Sequence, residues 1–226
     1  MFSYVKTCIS LIGLTALSAC SNVILFADFE GHPAGTKVDG RIVGGPIDDT
    51  ATTRGTDDLL MVKARPDVEP LSGKRSYRFG ANFPLDTGVD LPEAVFLPGF
   101  QNRGPVVQID WIGLSSGTVT DFEITNRARD VTLLRGFLGN GEVRLGSQRI
   151  QGLVDGEVHT VSIKLDATSD TYFVAVSGNT IELAPFEGEL LGDFEISWDL
   201  ALNIRVSGRA RLDEYLLDDV TITVVE

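Results

Sequence analysis

Acidic side chains recur at every second position in two stretches of this sequence. The stretch "EISWD" places Glu195, Ser197 and Asp199 in alternation. Alternate residues of a β-strand lie on the same face of the sheet, so these three side chains would share one face. Two carboxyl groups about 5–10 Å apart are the arrangement that hydrolyses glycosidic bonds. The first chemistry to consider is therefore acid–base hydrolysis by carboxylates on a strand.

The details of this stretch weigh against catalysis. One family of jelly-roll hydrolases carries the strand motif E-x-D-x-E, which "EISWD" resembles. Ser197 stands where that motif has its central Asp, and Asp199 stands where it has its last Glu. Two of the three functional positions therefore differ from the motif.

A second stretch, "DFEIT", has the same spacing of Asp121, Glu123 and Thr125. Alternating acids are also what a solvent-exposed strand face is expected to carry. Hydrolysis of glycans stays open on these residues as the least favoured function.

Histidine and cysteine offer little further chemistry. His159 begins an amphipathic strand, where a packing role is expected, and His32 lies in a loop segment beside Glu30. Triad-type nucleophilic catalysis needs a histidine next to a nucleophile, and no His/Cys spacing is typical of zinc. No glycine-rich phosphate loop precedes a helix.

The amino terminus has the pattern of a secretory signal. Lys6 precedes an apolar stretch, Cys8 to Leu17, that is too short to span a membrane as a helix, which takes about 20 apolar residues. It ends in Leu17-Ser18-Ala19-Cys20, which resembles the lipobox of bacterial lipoproteins at all four positions. In that family the cysteine thiol carries a diacylglyceryl group and becomes the first residue after cleavage.

The lipobox resemblance implies a domain organisation and a location. Residues 1–19 would be a signal peptide, and residues 20–226 would be a single β-sandwich domain anchored in the lipid bilayer through Cys20. Ser21 follows in place of the Asp that retains enteric lipoproteins in the inner membrane. The expected location is the outer membrane of a Gram-negative cell envelope.

Composition excludes some partners and sets the size of the core. The net charge is −13, and removal of Lys6 with the signal would make it −14. This excess of acid argues against nucleic acid as a partner, because nucleic-acid binding depends on basic patches. With Cys8 removed and Cys20 acylated, the mature chain would have no disulfide. About 200 residues are enough for one all-β domain held by its core alone.

The pattern along the chain predicts strands and no helix. Val161, Ile163 and Leu165 alternate with polar residues, as in a strand with one face on a core and one in water. Glycine- and Asx-rich turns separate eleven such segments, among them one over 142–150. We predict an all-β fold, a two-sheet antiparallel jelly-roll sandwich. Residues 31–58 and 81–104 are predicted to be long loops.

Several segments resemble concanavalin A-like jelly rolls such as laminin G-type domains. Residues 159–163, "HTVSI", and 172–178, "YFVAVSG", are similar to a pair of adjacent strands in that family. The segments "FADFEG" and "EYLLDDVTI" resemble the first and last strands of β-sandwich carbohydrate-binding modules, which lie side by side. The resemblance implies a fold and does not by itself give a function.

The same resemblance implies a structural calcium ion. Some of those modules hold calcium between their first and last strands, and Glu30, Asp218 and Asp219 match those positions. Carboxylates are suitable hard ligands for this ion. Strand alternation would turn only one of the two aspartates inward, and we expect it to be Asp219.

Aromatic residues are the usual stacking platforms of sugar sites. Trp111 and Trp198 are each expected in the core, while Phe96 and Phe100 in the second long loop are candidates for exposure. The favoured function is non-catalytic glycan binding by a lipid-anchored protein of the cell envelope. The alternatives are an accessory lipoprotein that binds another envelope protein and a divergent glycoside hydrolase.

Overall fold

A computed structural model gives the fold of most of the chain. It describes residues 21–31, 33, 40–41, 50–54, 60–64, 71–73, 75–80, 93–98, 100–101, 104–178, 182–195, 198–208 and 213–225. No helix capable of crossing a membrane is found in this part of the chain. Cys20 and His32 lie outside the described residues.

The described residues form seventeen strands. They are β1 Ser21–Ala27, β2 Gly40–Arg41, β3 Thr50–Arg54, β4 Leu60–Ala64, β5 Arg75–Gly80, β6 Glu93–Leu97, β7 Phe100–Gln101, β8 Val106–Ser116, β9 Thr118–Asn126, β10 Val131–Gly139, β11 Glu142–Leu145, β12 Gln148–Gln151, β13 Val158–Asp166, β14 Thr171–Gly178, β15 Phe186–Glu189, β16 Trp198–Gly208 and β17 Glu214–Val225.

The strands build two antiparallel sheets. The eight-stranded sheet has the order β15-β14-β13-β8-β17-β5-β4, and β1 also pairs with β17. The nine-stranded sheet has the order β12-β11-β10-β9-β16-β6-β3-β2, with β7 also paired to β16. The predicted two-sheet antiparallel sandwich is confirmed. The first and last strands, β1 and β17, are neighbours as the resemblance implied.

Alternation along the strands creates the core between the sheets. In β8 every second residue is buried, and Val107, Ile109 and Trp111 are fully inaccessible. In β9 Phe122 and Ile124 are buried in the same way. Because successive strand residues point to opposite faces, each strand gives one face to the core and one to solvent. The predicted core position of Trp111 is confirmed.

Two details of the predicted strand pattern are wrong. Residues 142–150 form the hairpin of β11 and β12, because Gly146 takes a φ of +56° and turns the chain. The segments predicted as long loops contain β2, β3, β6 and β7. Strand β6, "EAVFL", is short and lies between Pro92 and Pro98. Because proline is typical of turns and loops, the sequence pattern predicted a loop here.

A hydrogen-bonded group of three side chains lies inside the sandwich. The indole N–H of Trp111 donates to Tyr215 Oη over 3.1 Å, and His159 Nε2 is 3.2 Å from the same hydroxyl. Gly113 makes this arrangement possible, because a Cβ on it would overlap the Tyr215 hydroxyl and lie 2.7 Å from His159 Nε2. The expected packing role of His159 is confirmed, since it is 2 % exposed.

Burial keeps the His159 imidazole neutral. Loss of solvation lowers its pKa from 6.5 to about 4, although a hydrogen bond to the Glu157 backbone acts in the opposite direction. A lowered pKa in the folded state means that the unfolded chain binds this proton more readily. The contribution of His159 to stability is therefore complete above about pH 6.5 and is lost as the pH falls towards 4.

We expect the free energy of unfolding to fall more steeply with acid in the native protein than in a His159→Gln variant. The difference between the two should grow by roughly 3 kcal/mol between pH 7 and pH 4, at about 1.36 kcal/mol per unit of pKa. Denaturant unfolding at a series of pH values measures it. Carboxylates contribute alike to the pH dependence of both proteins. Parallel curves of the free energy of unfolding against pH would therefore contradict a neutral, buried His159.

Candidate functional site

The solvent-facing side of the nine-stranded sheet carries a row of charged residues. In β16, Arg205 lies opposite Asp121 of β9 on one side and opposite Glu93 of β6 on the other. One step along the same strands, Asn203 lies opposite Glu123. Because these positions alternate with buried ones, all five side chains point away from the core.

Ion pairs hold these side chains in place. Arg205 Nε donates to Glu93 Oε1 over 2.8 Å, and Glu93 is only 5 % exposed. Glu123 Oε1 accepts two hydrogen bonds of 2.7 Å, from Arg135 Nη2 and from Thr132 Oγ1. Charge-assisted hydrogen bonds favour one orientation of a long side chain, and Arg205 and Arg135 each make such a bond in the free protein.

The two acids on β9 differ in their proton affinity. Partial loss of solvation by its neighbours raises the pKa of the exposed Asp121 above its ordinary value, although the charges of Arg205 and Arg135 oppose the shift. Burial acts on Glu123 in the same direction, but hydrogen bonds from Thr132 and Arg135 outweigh it, and the pKa of Glu123 is lowered. The outer face of β9 thus carries two different carboxyl groups. As the pH rises, Glu123 loses its proton before Asp121 does.

The row lines two shallow recesses that share lining residues, and we call the two together the polar groove. One recess of about 280 Å³ is bordered by Asp121, Glu123, Arg135, Asn203 and Arg205. A second, of about 410 Å³, shares Asn203 and Arg205 and is lined by Glu93, Val95, Leu97, Thr125, Arg127 and Ala201. Asn203 and Arg205 therefore lie at the centre of the groove, where both recesses meet.

The structure separates the two acidic stretches of the sequence. Asp121, Glu123 and Thr125 all line the polar groove. Glu195 lies before β16 and pairs with Arg129 over 2.6 Å, whereas Asp199 lies within β16. Their expected common face stays a prediction, because residues 196–197 between them lie outside the described residues. Ser197 lies outside the described residues.

Sequence reasoning missed the partners of the acids. Asn203 and Arg205 are the polar residues of the alternating stretch "LNIRV", which is a signal that could have found them. Their position opposite Glu123 and Asp121 depends on strand register, which the sequence does not give. The suggested exposure of Phe96 is wrong, because Phe96 is fully buried. The side chains of Phe100 and Trp198 lie outside the described residues.

A second cluster of acids lies where β17 changes its neighbour. On one side β17 pairs with β5 up to Leu217 and with β1 from Val220, and the register of β17 against β8 shifts between Asp218 and Thr221. Asp219 sits in this irregularity with a φ of +47°. This local geometry brings Glu30, just after β1, near Asp218.

The burial of the two aspartates is the reverse of our expectation. Asp218 is fully buried, and Asp219 is partly exposed. The bulge breaks strict alternation and turns Asp218 under the segment 71–73, where its Oδ2 accepts a hydrogen bond from Ser72 N at 3.1 Å. Burial and repulsion from Asp219 and Glu30 raise the pKa of Asp218 to about 8, despite bonds from backbone N–H groups.

The carboxylate oxygens of this cluster accept backbone hydrogen bonds and are not arranged as the ligands of a metal ion. Glu30 Oε1 accepts from Arg75 N at 2.7 Å, and Asp218 Oδ1 accepts from Asp219 N at 2.9 Å. Among the described residues no group of three or more His, Cys, Asp or Glu side chains could hold an ion. Oxygen donors suit calcium, but the geometry does not fit it as it stands. Calcium binding by these residues stays a prediction.

Comparison with known proteins identifies the fold. No protein-family model and no curated protein matches the chain. The catalytic domain of a glycoside hydrolase family 131 protein from Coprinopsis cinerea superposes with a TM-score of 0.59 at 9% identity, covering 89% of this chain and 94% of its own. The CBM2 module of the evolved Dit of Lactobacillus casei BL23 phage J-1 superposes with a TM-score of 0.52 at 14% sequence identity. The match covers 91% of this chain and 96% of the module. The globular domain of T. cruzi calreticulin superposes with a TM-score of 0.51 at 12% sequence identity. The match covers 89% of this chain and 87% of that domain.

These likenesses establish architecture alone, because all identities are low. The fold is a concanavalin A-like jelly-roll sandwich. The predicted fold class is therefore confirmed. A fold of this kind supports many functions, so the site has to supply the argument for this one.

If calcium binds at the Glu30–Asp218 cluster, it should stabilise the folded protein. An ion bound only by the native state adds about 2.7 kcal/mol at a concentration one hundred times its Kd. Thermal unfolding in excess calcium and in chelator measures this as a rise in Tm. The rise should disappear in Asp218→Asn and persist in Glu195→Gln, which removes an acid elsewhere. Equal Tm values in calcium and chelator would contradict the prediction.

Proposed function

We propose that the protein binds glycans in the polar groove of its nine-stranded sheet. The observation that carries this proposal is the set of ion-paired carboxylate, guanidinium and amide groups that points outward from adjacent strands. Sugars present many hydroxyl groups, each able to donate and accept hydrogen bonds. In one recess of the groove, hydrogen-bond acceptors are offered by Asn203, Asp121 and Glu123. Hydrogen-bond donors are offered there by Arg135 and Arg205.

Pre-organisation supports this proposal. A flexible side chain loses roughly 0.5–1.5 kcal/mol of entropy when a ligand immobilises it. Arg205 and Arg135 are already held by Glu93 and Glu123 in the free protein. Part of this cost is therefore met during folding, and the groove can use its hydrogen bonds for affinity.

We also propose that the groove is displayed on a membrane through lipidated Cys20. Strand β1 begins at Ser21, directly after the cysteine of the lipobox-like sequence. Two acyl chains or more would hold such an anchor stably, at about 0.8 kcal/mol for each buried CH₂. The proposed location is the outer membrane, because Ser21 replaces the aspartate that retains enteric lipoproteins.

A glycan array followed by affinity measurements on Asn203→Ala tests the binding proposal. We expect a related set of glycans to bind, and the variant to lose about fivefold in affinity, since one hydrogen bond contributes about 1 kcal/mol. The matched control is Ser162→Ala, on the outer face of the eight-stranded sheet, which should bind normally. A folded protein that binds no glycan, or equal affinity in both variants, would sink the proposal.

Glycoside hydrolysis is a second candidate function, favoured by one observation. Asp121 and Glu123 are two residues apart on the outer face of β9, which is a placement that a pair of hydrolytic carboxyl groups can use, and the pKa of Asp121 is raised while that of Glu123 is lowered. Both side chains open into the same recess. A bound glycosidic bond lying between them would meet both groups.

Product release from each bound glycan separates hydrolysis from simple binding. If the protein is a hydrolase, Asp121→Asn should reduce turnover by about 100-fold or more, because general acid catalysis supplies a factor of that size. Its affinity for the glycan should change little. Binding without detectable reducing ends would contradict the second candidate and leave the binding proposal intact.

A further inference from the structure

The row of outward side chains continues beyond the polar groove. Strand register aligns Arg205 of β16, Asp121 of β9, Phe137 of β10, Arg144 of β11 and Arg149 of β12. Neighbouring strands are about 4.8 Å apart, so Arg149 lies about 14 Å from Asp121 across the sheet. This distance is comparable to the length of a short oligosaccharide. We call Phe137, Arg144 and Arg149, which lie beside the groove, the basic end of the row.

The side chains of the basic end are held in fixed positions. The guanidinium of Arg144 lies over the ring of Phe137, 5.2 Å from its centre. Arg144 and Arg149 both form ion pairs with Glu142, whose side chain is almost completely buried. A buried carboxylate between two cations anchors both arginines more firmly than an exposed pair would.

The basic end carries an excess of positive charge. Two guanidinium groups share the single carboxylate of Glu142, which leaves a net charge of about +1. The side chains of Arg144 and Arg149 remain 50% and 56% exposed. Each guanidinium has five N–H donors, and the pairing with Glu142 leaves several of them facing solvent.

The negative charge of the whole chain helps the positively charged basic end to select where an anion binds. The net charge is −13, so the protein as a whole repels anions. A local cationic region in a repelling surface favours an anion at that place over other places. At the other end of the row, Asp121 and Glu123 accept hydrogen bonds from hydroxyl groups, and the neighbouring cations Arg205 and Arg135 offset their negative charge.

We propose that the glycan bound in the groove extends along the row to the basic end and is an anionic polysaccharide. Its carboxylate or sulfate groups pair with Arg144 and Arg149, and a sugar ring packs against Phe137. Guanidinium groups match the planar, two-oxygen geometry of a carboxylate, and they also bind other oxyanions. The inference rests on the proposed glycan-binding function and adds the chemical class of the ligand.

Polygalacturonate and its fully methyl-esterified form test the inference, because they share a backbone and differ in charge. We expect the native protein to bind polygalacturonate at least tenfold more tightly than the ester, with affinity falling as salt is raised. Dextran sulfate against dextran provides the same comparison for sulfate. A preference for either charged polymer over its uncharged partner supports the inference and identifies the recognised group.

Arg149→Gln locates the recognition. This variant keeps Arg144 beside Glu142, and it should bind the preferred anionic polymer about tenfold more weakly while its Tm stays close to native. The matched control is Lys164→Gln, which removes one exposed positive charge from the other sheet. Lys164→Gln should bind as the native protein does.

Three results would overturn the inference, and they are distinguishable. Equal binding of charged and uncharged polymers would overturn it and leave glycan binding in place. Equal weakening by Arg149→Gln and Lys164→Gln would show non-specific attraction of polyanions. The absence of binding to any glycan by the folded protein would overturn the proposed function as well.

Discussion

The pairing register of β9 with β16 is the constraint on which the rest of the structure depends. It places Phe122 opposite Ile204 inside the sandwich and Asp121 opposite Arg205 outside it. Side chains alternate with a period of two, so a slip of one residue would exchange the two sets. The slip would bury carboxylates and guanidinium groups and expose the core. Stability and the chemistry of the groove therefore depend on the same hydrogen-bonded ladder.

The interior supports this ladder by close packing around a few glycines. Gly136 of β10 leaves room for the ring of Phe122, because a Cβ there would overlap the ring. Phe122 in turn meets Trp111 edge to face, with ring centres 5.4 Å apart. Trp111 belongs to the hydrogen-bonded group with Tyr215 and His159. The back of the groove is thus closely packed, and a closely packed sheet gives defined positions to the side chains on its outer face.

Sequence reasoning predicted the features that local pattern controls. Strands β13 and β14 follow from strict alternation, and their pairing was indicated by the family resemblance. The acids Asp121 and Glu123 were visible as a pair, but their partners Arg205 and Asn203 come from a strand about 80 positions away, and only register places them opposite. A bulge reversed the expectation for Asp218 and Asp219, because alternation holds only in a regular strand.

Hydrogen–deuterium exchange of the backbone amides, with and without polygalacturonate, tests the central claim that the outer face of the nine-stranded sheet is the binding surface. The account predicts added protection in β9, β10, β11, β12 and β16, with β8, β13 and β14 unchanged. These two sets belong to different sheets, so the comparison has an internal control. Protection confined to the eight-stranded sheet would contradict the account and move the binding surface to the opposite side of the sandwich.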